Sequence, residues 1–377
     1  MKALLISKTL AEFPEEAAKA REISKLGVKL SVVVPARWRG RSVDAERIRS
    51  DGYDLFVREC RFSDRKSRRV RYHCHFYPGI SKIIAVEQWD LVHIDEEPMN
   101  FATYHTLRAC RKHKRRAVFT TWQNLMKRYP PPFRFFEKDI FRNAAGGFAG
   151  NSEAAEILRR RGFSRPIACV PQHGVDADVF RKADAIDLRQ KMGLKNAFVI
   201  GFVGQFAYRK GIDTLLRALA LLPQRAALVL IGAGPDSGKL RSLAQELRIS
   251  ARVRWESWAD QRELAKYMCV LDVLALPSRT LHRGKEQFGR VLIEAMACET
   301  PVVGSDSGEI PNIIGDSGLI FHEGDDKQLA GQLRRLMNDA SLRESLARRG
   351  REHVIERYTY QRVAQQTVDF YHRICHA

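Results

Sequence analysis

FVIGFVGQFAYRKGIDTLLRALALL, residues 198 to 222, changes character twice. FVIGFVG (198 to 204) reads as a buried strand, and IDTLLRALALL repeats its apolar positions at helical spacing. Between them QFAYRKG sets Arg209, Lys210 and Gly211 where strand gives way to helix. In parallel sheets covered by helices, ligands bind outside the carboxyl ends of the strands, at such junctions. A helix amino terminus already favours anions through its free N–H groups, and two adjacent cations make the place a phosphate site, with Gly211 permitting close backbone approach.

The same alternation of β-branched runs and helix-patterned segments recurs along the chain. In the first half the strands are read at 2–7, 28–35, 90–95, 117–122, 146–150 and 167–171; in the second, at 198–204, 227–232, 253–257, 270–278, 301–305 and 318–321. Between the sets lies PQHGVDADVFRKADAID, rich in turn formers, so a hinge is expected near residues 172 to 186. A chain of 377 residues suits two cores. The expectation is an α/β protein of two Rossmann-like, doubly wound domains facing a cleft, 1–175 and 176–357. RYTYQRVAQQTVDFYHRI (357 to 374) has apolar and aromatic positions at helical spacing, and this terminal helix (358–377) is expected to pack back on the first domain.

Composition excludes several classes. No apolar run nears the roughly 20 residues that span a bilayer, and MKALLISKTLAEFPEE lacks a small-residue cleavage site, so a cytoplasmic protein is expected. Seven scattered cysteines without a C-x-x-C pair argue for reduced thiols. The net charge of +20 is uneven, with 34 basic and 21 acidic residues up to position 178 and 30 and 23 after it. The runs RKSRRVR (65 to 71), RKHKRR (111 to 116) and RRR (159 to 161) suit an anionic partner. No nucleic-acid motif accompanies them, so an anionic membrane surface, which needs no sequence code, is the better expectation, and association with the inner face of the membrane follows. RYHCHFY (71 to 77) reads as a strand or loop without a third zinc ligand, and GAGPDSG (232 to 238) has its third glycine one residue late for a dinucleotide fingerprint.

A second junction, LPSRTLHRGKEQFGRVLIEAMACETPVV, carries Glu286 just outside a helix and Glu294 one and a half turns within it. Gly289 leaves the helix amino terminus open to another phosphate. A loop carboxylate there accepts from sugar hydroxyls and a deeper one from a ribose. Two acids so far apart, with no nearby His or Asp, make a poor metal site.

With these motifs on the page, the chain resembles the retaining glycosyltransferases of family 4, of the GT-B fold. The carriers are E286-QFGRVLI-E294, matching the family's E-x7-E; G204-QFAY-R209-K210-G211, matching its glycine-to-lysine phosphate loop; and PQHGVD (171 to 176), matching its P-x-G-V-D. The resemblance implies a hexosyltransferase that moves sugar, with retention, from a UDP- or GDP-linked donor to a lipid-linked or surface-polysaccharide acceptor. Arg209 and Lys210 would neutralise the donor diphosphate, Glu286 hold sugar hydroxyls and Glu294 the ribose. Phe288, Gly289 and Arg290 would line the sugar and diphosphate pocket, with Gly204 and Gln205 in the phosphate loop. Gly232 to Gly234 and Val253, Arg254 and Trp255 would bracket the base. No metal or other cofactor is implied. Gln205 stands where the family usually carries Arg, and Arg209 is expected to substitute for it. The amino-domain lacks the usual glycine-rich loop and strand-end histidine; TTWQN (120 to 124) occupies that place, making Trp122, Gln123 and Asn124, with Glu97, the sugar and acceptor candidates. These departures leave a non-catalytic binding protein, or a sugar-nucleotide epimerase of the same fold, as the alternative.

Overall fold

The computed structural model describes every residue except Gln172, Arg283 and Ala377; Gln172, within the PQHGVD motif, therefore lies outside the description. Its strands are β1 (Lys2–Ser7), β2 (Lys29–Pro35), β3 (Arg37–Trp38), β4 (Arg41–Ser42), β5 (Asp54–Arg58), β6 (Leu91–Asp95), β7 (Ala117–Thr121), β8 (Gly146–Ala149) and β9 (Ile167–Cys169). The series continues with β10 (Phe198–Val203), β11 (Ala226–Ile231), β12 (Val253–Glu256), β13 (Val273–Leu276), β14 (Val302–Ser305) and β15 (Leu319–Phe321). The chain folds as two compact units, Met1–Gly174 with the segment from Tyr360 onward, and Val175–Thr359. Val175, Tyr358 and Thr359 therefore sit in the second unit rather than the first domain and terminal helix expected from sequence. The Val175 N–H donates to the Tyr358 carbonyl over 2.9 Å, and Val175 bridges Thr359 in parallel.

The first unit holds a seven-stranded parallel sheet in the order β5-β2-β1-β6-β7-β8-β9, and the second a six-stranded parallel sheet in the order β12-β11-β10-β13-β14-β15. Each order reverses direction once, between β1 and β6 and between β10 and β13. That reversal opens a crevice at the strands' carboxyl ends. The strands are buried on both faces because helices cover them: β10 (FVIGFV) and β11 (AALVLI) have no exposed residue.

Two sequence expectations are corrected. The edge strand β5 was not foreseen, because DLFVR is only half-buried and carries no long apolar run. RYHCHFY is not a strand: the helix Arg68–His73 runs into it, capped by the Ser67 hydroxyl, which accepts from the Val70 N–H. The helix Tyr360–His376 packs in the first unit against the helix Ala17–Lys25 and β8. There Phe370 meets Phe148 edge-on at 4.7 Å and the Tyr371 hydroxyl meets His93 Nδ1 at 2.7 Å. A Cβ on Gly146 would lie 2.7 Å from the Ile374 Cδ1 and 2.9 Å from the Phe370 Cζ, so a larger residue there would push those side chains off the sheet.

Candidate active site

In the second unit the site forms at the β10/β13 reversal. After β10 the chain passes Gly204 and an exposed Gln205, makes a single 3-10 turn over Tyr208–Lys210, and enters the helix Ile212–Ala220 through Gly211. Gly211 has φ +67, and a Cβ there would fall 1.8 Å from the Pro277 carbonyl oxygen just past β13. No other residue fits, so the helix amino terminus abuts the end of β13. Gly289, with φ +83, opens the helix Arg290–Ala297 against Leu276 at the same strand end.

Three groups converge on one carboxylate oxygen here. The Glu286 Oε2 lies 2.6 Å from Lys210 Nζ and 3.6 Å from an Arg209 terminal nitrogen, and it accepts from the Ser278 hydroxyl at 2.7 Å. Burial works to raise this carboxyl, but Lys210, Arg209 and Ser278 outweigh it and hold it below the usual carboxylate range. The backbone of Glu286 is fixed from behind: its carbonyl accepts from the Glu309 N–H at 3.2 Å, and Gly308, at φ +59, leaves no room for a Cβ. Glu294 is buried and accepts from Arg290 Nε at 2.8 Å, an i,i+4 pair. Ser278 is the residue that sequence reading missed. Its only signal was its place at the end of the strand run LPS.

The other donor candidates separate. Gly232 and Gly234 pack directly on the phosphate loop, each within 2.2 Å, measured from a built Cβ, of the Gly204 or Phe206 carbonyl oxygen. Trp255 meets Phe206 edge-on at 5.8 Å and carries the Arg241 guanidinium 4.4 Å over its ring. Strand alternation turns Arg254 to the other face, where it donates to the carbonyls of Ala251 at 2.9 Å and Met192 at 3.5 Å, while the Val253 side chain is core. Arg254 thus leaves the set of groups near the loop. Phe288 is likewise a buried wall, packed against Tyr358 at 6.0 Å, rather than an open lining.

In the first unit the corresponding crevice lies at the β1/β6 reversal. Glu97, expected as an acceptor contact or a solvated helix start, is half-buried and hydrogen-bonded. One oxygen accepts from the Thr121 hydroxyl at 2.5 Å and the other from the Trp122 N–H at 2.9 Å, so the carboxylate pins the turn leaving β7. Burial raises its carboxyl, and those two donors offset the rise only in part. That turn holds Gln123, whose amide donates to the Tyr129 hydroxyl at 3.2 Å and whose carbonyl accepts from the Leu125 N–H at 3.3 Å, beside a buried Asn124. Trp122 lines a cavity of about 30 Å³ with Lys19, His93 and Asp95. Next to it a charged cluster that sequence reading missed joins the ends of β1 and β6. Glu96 lies 3.1 Å from Lys8 Nζ and 2.9 Å from His75 Nε2 and accepts from Asn100, which in turn meets His73. Burial would raise the Glu96 carboxyl, yet Lys8 and His75 bring it down to about 2. Among the described residues no group of three or more His, Cys, Asp or Glu is placed to hold a metal ion.

Residues 184–353 match the family described as glycosyl transferases group 1, and residues 18–179 match glycosyltransferase family 4. A D-inositol 3-phosphate glycosyltransferase of Stackebrandtia nassauensis is 30% identical over 319 residues, 79% of this chain and 67% of that protein. The chain belongs to glycosyltransferase family 4. It covers a smaller share of other members, such as the N-acetyl-alpha-D-glucosaminyl L-malate synthase of Bacillus anthracis, which is 29% identical over 53% of this chain and 52% of that one. The family fold is shared in full with the Anabaena protein Alr3699/HepE, whose crystal structure in complex with UDP superposes with a TM-score of 0.77 at 18% identity, over 99% of this chain and 100% of that one. Within family 4, then, this chain is a GT-B glycosyltransferase whose phosphate loop and E-x7-E motif meet at one carboxylate.

Proposed function

We propose that this family 4 member moves a hexose, with retention and without a metal, from a nucleotide diphosphate sugar to a lipid-linked or surface-polysaccharide acceptor. The observation that carries the reading is the convergence of Lys210, Arg209 and Ser278 on Glu286 between two glycine-opened helix amino termini. When the bond from sugar C1 to the diphosphate oxygen breaks, negative charge grows on the leaving group. Lys210, Arg209 and the helix amino termini that begin after Gly211 and Gly289 are the groups that stabilise it, doing electrostatically what a magnesium ion does elsewhere. Lys210 moving toward a diphosphate frees an oxygen of Glu286 for a sugar hydroxyl, and Glu294 takes the ribose.

UDP is the donor nucleotide favoured, since the HepE structure was solved with UDP. An anionic acceptor or acceptor-bearing surface agrees with the +20 charge, and the names of the two relatives, with D-inositol 3-phosphate and L-malate, point the same way. The basic first half supports association with the inner, anionic face of a membrane.

The deciding experiment is calorimetric titration with UDP, GDP and ADP, first with EDTA and then with magnesium, followed by transfer assays with the matching sugar nucleotides and NMR of the product's anomeric centre. Binding of one nucleotide that is indifferent to magnesium, with an α-linked product from an α-linked donor, is expected. Magnesium-dependent binding or an inverted product would overturn the mechanism.

A further inference from the structure

We propose that the first unit docks on an anionic lipid bilayer through one face, formed by residues 61–69 and the outer sides of the helices Phe101–Lys112 and Phe133–Asn143. The proposal rests on the membrane part of the reading above and assigns the surface. Phe62 and Phe135 stand 40% and 56% exposed. An unbroken chain of ring contacts joins them: Phe62 to Phe76 at 6.1 Å, Phe76 to Phe101 at 5.4 Å, Phe101 to Tyr104 at 6.2 Å, and Tyr104 to Phe135 at 5.7 Å. The two exposed rings are the ends of one aromatic seam.

Cations border that seam throughout. The helix Phe133–Asn143 buries Phe133, Phe136 and Ile140 and leaves Arg134, Lys138 and Arg142 exposed at four-residue spacing, beside Phe135. In residues 61–69, Arg61, Arg65, Lys66, Arg68 and Arg69 are all exposed. Three guanidiniums lie over rings of the seam or its flank: Arg65 over Phe62 at 5.6 Å, Arg69 over Phe133 at 5.6 Å and Arg108 over Tyr104 at 5.8 Å.

The neighbouring acids offset little of this charge, because among the described residues only Arg61 of the cations just named is paired, with Glu59, and the other acids have partners elsewhere. Asp64 pairs with Arg37 at 2.9 Å, Glu59 with Arg61 at 3.5 Å and Asp139 with Arg111 at 3.8 Å, while Glu137 is buried against Arg161. Exposed aromatic rings set among Lys and Arg of which only Arg61 has an acid partner match a bilayer's interface, where rings settle at headgroup level and each cation gains about 1 kcal/mol near acidic lipid. A single-stranded nucleic acid would need ring faces open in series along a groove. Here the middle rings face each other and Arg65 covers Phe62.

The test is co-sedimentation with vesicles of phosphatidylcholine alone and of phosphatidylcholine mixed with phosphatidylglycerol, across a potassium chloride series. Wild type should sediment with the acidic vesicles only, and less as salt rises. Phe135→Ser and the double change Arg134→Glu/Lys138→Glu should each lower partitioning by about tenfold or more. The matched double change Arg348→Glu/Arg349→Glu, on the exposed side of the helix Ala340–Arg357, should leave it unchanged. Nucleotide affinity in the same samples reports that every variant is folded. Wild type that ignores acidic vesicles would remove both the membrane reading and this face. Binding that survives the Phe135 and Arg134/Lys138 changes but falls in the Arg348/Arg349 variant would keep the membrane and overturn the face. Displacement from vesicles by a single-stranded oligonucleotide, with Phe135→Ser bound as tightly as wild type, would make the surface a general polyanion site and overturn the proposal too.

Discussion

Lys210 Nζ lies 2.6 Å from Glu286 Oε2, so the phosphate-loop cation and the loop carboxylate are each other's partner across 76 residues of sequence. On the proposed reading, a donor diphosphate competes with Glu286 for that ammonium. Lys210→Ala should therefore weaken binding of the preferred nucleoside diphosphate by about 10- to 100-fold, the worth of one charge-assisted contact, as read by calorimetry.

Glu286→Ala removes the acid and keeps both cations. Nucleotide affinity should hold or rise while transfer falls by about 100-fold or more, if the carboxylate's contacts are made mainly at the reacting sugar. Steady-state kinetics beside the binding isotherm separates the two effects. Normal transfer by this variant would show the acid to be structural.

Glu97 acts through the turn it holds, being bonded to Thr121 and the Trp122 N–H. It is a positioning residue for Gln123 and Asn124. Glu97→Ala should lower kcat by about tenfold with nucleotide affinity unaltered, and Glu97→Gln, which can keep one of the two contacts, should recover part of it. Equal loss of nucleotide binding would mean general unfolding instead.

The Glu96 cluster predicts an acid-sensitive first unit. A carboxyl held at about 2 in the folded chain, against 4.5 ordinarily, contributes stability that is complete above its ordinary value and is lost as pH falls toward 2. Glu96→Gln leaves Lys8 and His75 without their acid and should cost about 3 kcal/mol at pH 7. Its urea midpoint should then change less than that of wild type between pH 5 and 3, as followed by circular dichroism.

Cys269 should alkylate faster than Cys60 and Cys110. Cys298 brings the Cys269 thiol below its ordinary value, whereas burial pushes Cys60 and Cys110 up to about 12. Limited iodoacetamide labelling at pH 7.5, followed by peptide mass spectrometry, should mark Cys269 before Cys60 and Cys110; Cys298→Ala should slow it.

Strands β10, β11 and β13 were legible because each is a continuous apolar run ended by glycine or proline, and the junction residues because charge beside glycine at a strand end has few structural uses. Glu286 and Lys210 were found in this way. Their direct contact was not, since it depends on how two loops fold over one strand end. β5 was missed because an edge strand carries polar residues on its open side, and Lys8, His75 and Glu96 because they come from three distant segments, none with a motif of its own. Arg254 and Phe288 show the converse. A motif position names a neighbourhood, but strand alternation and core packing decide which way a side chain points.

The two ends of the second unit meet, with Val175 bonded to Tyr358 and bridged to Thr359, while the helix Tyr360–His376 completes the first. In the order of synthesis, the first unit begins and must then wait for nearly two hundred residues of another unit before the helix that covers Phe148 and His93 emerges from the ribosome. The second unit can close on its own as soon as Thr359 is made. A chaperone that guards nascent apolar surface should therefore remain on the sheet of the first unit long after its strands have been translated.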